Sequence, residues 1–80
     1  MPTEESVRQD ALVIKGTSRV SAVIGDPVEH SLSPLLHNTA SAYLGIDHVY
    51  VPFRVRPNAL HHAVTAVRAL DMAGINVTIP

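Results

Sequence analysis

The chain has 80 residues, a formal net charge of −1 and no cysteine. Without cysteine there is no disulfide framework, thiolate metal site or thiol nucleophile, and a near-neutral charge gives no electrostatic case for nucleic acid or an anionic membrane. No apolar run approaches the roughly 18 residues that span a bilayer, so a small cytoplasmic domain is the expectation.

Met1 to Asp10 is polar and acidic and lacks the apolar core of a signal peptide. Residues 1–18 read as a mobile leader closed by a turn at Ile14–Ser18, and residues 19–80 as one partial domain. Val20–Ile24 is short, apolar and β-branched, as a buried strand requires. Gly25-Asp26-Pro27 breaks it. A helix is predicted from Pro34 to Leu44, with Ser33 as N-cap, Pro34 in the first turn and Gly45 as C-terminal cap. Leu36, Ala40, Tyr43 and Leu44 form its expected inward stripe.

His48 to Val55 alternates, with Val49, Val51, Phe53 and Val55 on one face and His48 and Tyr50 outward. Pro52 cannot donate to a ladder, which places this strand at a sheet edge or a bulge. Pro57 to Met72 is a second predicted helix, with Leu60, Val64, Val67 and Leu70 inward and Gly74 closing it. Ile75–Ile79 is the third strand. The order β-α-β-α-β argues for an α/β fold with a parallel sheet between two helical layers. Right-handed crossovers and an edge position for the second strand give the order 2-1-3, with the helices on opposite faces.

In an open parallel sheet, ligands bind beyond the carboxyl ends of the strands at a topological switch, which the order 2-1-3 places between the first and third strands. The loop after the first strand carries Ser31 and Ser33; the third strand carries Asn76 and Thr78. A helix N-terminus beside neutral hydroxyls suits a carboxylate or a polyol. Capping alone accounts for Ser33 but accounts less well for Ser31, and Asn76 reads as a residue satisfying backbone groups.

The segment Gly25-Asp26-Pro27-Val28-Glu29-His30-Ser31-Leu32-Ser33-Pro34-Leu35-Leu36-His37-Asn38 resembles the N-terminal signature of shikimate dehydrogenases. Tyr50-Val51-Pro52-Phe53 and Gly74-Ile75-Asn76-Val77-Thr78-Ile79-Pro80 follow at that family's spacing, so the likeness runs from Ile14 to Pro80. The resemblance implies that Ser31 and Ser33 hold the shikimate carboxylate and that Thr78 contacts substrate. It also implies an oxidoreductase of aromatic amino acid biosynthesis that reduces 3-dehydroshikimate to shikimate with NADP as cofactor.

The family's catalytic lysine and aspartate have no counterpart in this sequence, and no G-x-G-x-x-G turn is present. No catalytic, cofactor-binding or metal-binding residue is therefore assigned, and the 80 residues read as the front part of the substrate-binding domain, inactive alone. The competing readings are a non-catalytic shikimate- or quinate-binding module and an unstable remnant of a truncated gene. His30, His37, His48, His61 and His62 lack ligand spacing and are read as solvated or structural, with His37 packing beside the serine loop. Asp26 and Glu29 are read as turn formers, and Arg54 and Arg56 as a thin basic patch near Asp47.

Overall fold

A computed structural model of the protein describes residues 13–78. Most of the expected leader, and Ile79 and Pro80 at its other end, lie outside the described residues; the turn at Gly16 and Thr17 is present. Strand β1 spans Arg19–Gly25, helix α1 Ser33–Leu44, strand β2 His48–Arg54, helix α2 Leu60–Ala69 and strand β3 Gly74–Val77. All pairing is parallel and the sheet order is β2-β1-β3, as the sequence predicts. Ala22, Val23 and Ile24 of the central strand are buried, because β1 alone has a neighbour on both sides.

Alternation places Ser21, Val23, Tyr50 and Asn76 on one face of the sheet. Helix α1 covers that face: the His37 ring stacks on Tyr50, with centroids 4.2 Å apart and planes 11° from parallel. Leu60 of α2 shares a cleft with Ile24 and Val77 on the opposite face. The expected placement of the two helices on opposite faces therefore holds.

The inward face expected of α1 is reversed. Leu36 and Leu44 are 66% and 67% exposed, and Ala40 and Tyr43 are also exposed. Asn38, Ser41 and Ala42 face the sheet instead, with Ser41 buried. The cause is the free edge of β2. The Asn38 amide accepts from the Tyr50 N–H at 2.8 Å and donates to the Tyr50 carbonyl at 2.7 Å. Both partners are main-chain groups that β1 does not reach, and leaving them unpaired is costly. A small serine beside this amide lets the helix approach closely. Tyr50, expected outward, is only 2% exposed beneath His37. His48 is half-buried and bonds Ser21 Oγ through Nε2 at 2.8 Å.

Parity also explains Pro52. The Val55 N–H donates to the Gly25 carbonyl, so odd-numbered residues of β2 face β1. Pro52 shares the parity of Tyr50, and its missing N–H lies on the outer edge, where no ladder bond is lost. The edge assignment of this strand is correct.

The second helix differs in its first turn and in its ending. Pro57–Ala59 form a 3-10 turn ahead of α2. Closure falls to Asp71, at φ 51°, not to Gly74, which begins β3. The Met72 N–H reaches back to the Val67 carbonyl across this left-handed residue, a position that aspartate tolerates better than most side chains. Leu60, Val64 and Leu70 of the expected inward stripe are exposed, Leu70 by 71%, while Val67 is half-buried. At the other helix Gly45 closes α1 as predicted, at φ 69°.

At the amino end of the sheet, the hydroxyls of Ser18 and Thr17 donate to the Asp47 carboxylate. These bonds, Ser18 first, hold the Asp47 carboxyl below its ordinary value. The lowered folded-state pKa fixes the sign of a pH effect. The stability Asp47 adds is complete above its unfolded-state value and is lost as pH falls through the folded one. The urea midpoint of the wild type is therefore expected to exceed that of Asp47→Asn near neutrality, by a small margin that narrows below about pH 4. A second test concerns the helix. Asn38→Ala strips two main-chain groups of their partner and is expected to lower unfolding free energy by about 2–4 kcal/mol in urea titration.

Candidate functional site

The carboxyl end of the sheet is assembled around Gly25. An added Cβ there would lie 2.3 Å from Thr78 Cγ2 and 2.8 Å from the Thr78 carbonyl oxygen, so only glycine permits this approach. The Thr78 N–H donates to the Ile24 carbonyl at 2.9 Å, which seats the threonine directly beyond the ladder of β1 and β3. Beyond Gly25 the Asp26–Pro27 bond is cis, and Val28 turns back to become buried against the strand end. The Val28 carbonyl accepts from the Ser31 N–H at 3.0 Å. A continuous series of contacts thus runs from Thr78 through Gly25 and Val28 to Ser31.

The capping bond expected of Ser33 is made by Ser31. Helix α1 begins at Ser33, and the cap position, Leu32, supplies no side-chain bond. Ser31 takes over: its Oγ accepts from the Ser33 N–H at 3.3 Å. Ser33 is already the first residue of the helix. At this tip Pro34 has no N–H to offer, the Leu36 N–H bonds the Leu32 carbonyl, and the Ser33 N–H is held by Ser31. The hydroxyl protons of Ser31 and Ser33 donate to no partner among the described residues, and both side chains are half-buried. This geometry leaves both hydroxyl donors available to an acidic ligand.

Asp26 and Arg54 secure the loop from its other side. Arg54 Nε donates to Asp26 Oδ1 at 2.9 Å, across the ends of β1 and β2. The patch expected near Asp47 is therefore not formed by Arg54, which pairs at the opposite end of the sheet. His37 packs on Tyr50 and so on β2, one turn into the helix. An apolar cleft of about 130 Å³ opens on the α2 side, lined by Gly25, Val55, Pro57, Leu60, Val77 and Thr78; of the three expected ligand residues it includes Thr78 alone. Among the described residues, no three His, Asp or Glu side chains gather to hold a metal, and His61 and His62 contact one another 3.9 Å apart.

The residues here do not fit a dinucleotide. The loop between β1 and α1, residues 26–32, has no glycine, and the open side of Gly25 at the end of β1 is filled by Thr78. Glu29 adds negative charge to this loop, and the Asp26 carboxylate is already paired with Arg54. No chemical step is routed through a nucleotide on this stretch.

The sequence profile of the shikimate dehydrogenase substrate-binding domain matches residues 23–80. The chain belongs to this family. An NADP(+) shikimate dehydrogenase of Thermosynechococcus vestitus is 52% identical over 67 residues, covering 84% of this chain and 23% of that protein. The crystal structure of shikimate dehydrogenase from Aquifex aeolicus superposes with a TM-score of 0.80 at 41% identity, covering 85% of this chain and 26% of that one. The Listeria monocytogenes enzyme, solved with shikimate and NAD, gives 0.80 at 42% identity over 84% of this chain and 23% of its own. The chain thus spans about a quarter of the length of these relatives. No helix among the described residues is long and apolar enough to cross a membrane.

Two contributors to this shikimate dehydrogenase-type scaffold escape a reading of the sequence. Asn38 looks like one polar residue on a helix, and Tyr50 like an outward strand residue. Only the free main-chain groups at an edge strand could have pointed to either.

Gly25→Ala is expected to push Thr78 away from the strand end and to destabilise the fold by about 1–3 kcal/mol, read as a lowered urea midpoint. A midpoint equal to that of the wild type would contradict the close approach.

Proposed function

We propose that this chain supplies the carboxylate-binding part of the substrate site of an NADP-dependent shikimate dehydrogenase, the whole of which reduces 3-dehydroshikimate to shikimate. Ser31 and Ser33 donate their hydroxyl protons to the carboxylate, and Thr78 adds a third hydroxyl from just beyond β3. The observation that carries this reading is the junction at Gly25, where the serine loop and the Thr78 backbone meet at the carboxyl end of one parallel sheet. The positive end of α1 adds a favourable field for the anion. The names of the relatives give the substrate class and the cofactor, and one of them was solved with shikimate.

The division of labour follows from chemistry. Three neutral hydroxyls can both donate and accept, so they orient a ring that bears hydroxyls as well as an acid group. They do not move a hydride, and no described side chain at this end is placed as a proton donor to a carbonyl. The role proposed for these residues is to bind and orient the substrate, with NADP and proton transfer handled by other groups of the enzyme.

Calorimetric titration of the chain with shikimate tests the reading. Saturable binding is expected, weakened about tenfold or more in Ser31→Ala, the loss of one hydrogen bond to a charged group. A folded sample that takes up no shikimate would overturn the assignment. Undiminished affinity in Ser31→Ala would remove the serine from it.

A further inference from the structure

Resting on that reading, we propose that Tyr50 is a positioning residue for the substrate site and acts through Asn76. Tyr50 is the point at which all three strands and α1 are joined. Its main-chain groups are held by Asn38, its ring is stacked by His37, and its hydroxyl crosses the central strand to donate to Asn76 Oδ1 at 3.0 Å. Val23, which pairs with Asn76, is the β1 residue beneath that crossing. A buried tyrosine normally finds a partner for its O–H, and this one takes the only polar side chain of β3.

The consequence lies at the other end of the amide. Once Oδ1 is engaged, Nδ2 and its two protons turn away from Tyr50. Asn76 is exposed and pairs with Val23, whereas Tyr50 pairs with Ser21, so the amide stands nearer the carboxyl end of the sheet than the tyrosine does. The amide therefore presents donors toward the carboxyl end of the sheet, where ligand oxygens need them. Without the tyrosine hydroxyl, the amide is free to rotate by half a turn and to offer an acceptor in place of the donors. Tyr50 thus sets the hydrogen-bonding polarity of a residue that contributes to recognition.

A double-mutant cycle read by calorimetry with shikimate tests this. Tyr50→Phe retains the ring on His37 and deletes one hydroxyl. It is expected to weaken binding about two- to tenfold in the wild-type background and to change nothing in the Asn76→Ala background. An equal loss in both backgrounds would make Tyr50 a packing residue only, and no loss in the first would likewise overturn the proposal. Absence of any binding by the folded wild type would instead defeat the functional reading. The inference is then decided by the Nδ2 proton signals of Asn76 in nuclear magnetic resonance spectra. A shift and faster exchange in Tyr50→Phe would support it, and unchanged signals would overturn it.

Discussion

One side-chain amide governs how this fold is put together. Asn38 replaces the missing neighbour of β2 by pairing with both main-chain groups of Tyr50. A helix interior is an unusual place to use asparagine, whose helix propensity is poor. The gain is that α1 cannot slide or rotate on the sheet without breaking two bonds at once. This constraint fixes where the helix starts relative to β1, and hence where the serine loop must fold back. It also explains why a polar stripe of Asn38 and Ser41, rather than the leucine-rich stripe, lies against the strands.

The second organising feature is the absence of a side chain at Gly25. Three segments distant in sequence converge there: the end of β3, the returning loop at Val28, and Val55 leaving β2. Their convergence ties the loop that bears Ser31 and Ser33 to all three strands by short contacts. The exposed Asp26–Arg54 pair is a weaker addition, since solvent and salt screen it. A site built this way inherits the rigidity of the sheet although most of its polar groups sit in a loop.

Much of this was legible in the sequence. The β-branched run of β1, the alternation of β2, Pro52 and the right-handed crossover rule were enough to give strand order and helix placement. Gly45 announced the end of α1 because a left-handed cap favours glycine. Other features were hidden for identifiable reasons. Helical periodicity reveals that Leu36, Ala40 and Tyr43 share a face, but it carries no sign for inward or outward. That sign came from hydrogen-bonding demand at a strand edge, which is a tertiary property. The transfer of the capping bond from Ser33 to Ser31 turned on a one-residue difference in where the helix begins. Asp71 took the left-handed position expected of a glycine because the helix ended earlier than its apolar pattern suggested. At the candidate site, the residue types and their loop were readable, whereas the dependence of Asn76 on Tyr50 required the register between strands.

The two borders of the sheet are unlike each other, and this has a bearing on growth. Along the flank of β2, Tyr50 has its groups occupied by Asn38, and Pro52 has no hydrogen to offer an incoming chain. A strand arriving there would find no continuous row of free donors. β3 has no such obstruction on its outward flank among the described residues, and Val77 at its end is 55% exposed. Lateral extension of this sheet is consequently one-directional: recruitment of further strands, from the same polypeptide or another, is permitted on the Asn76 side and refused on the other.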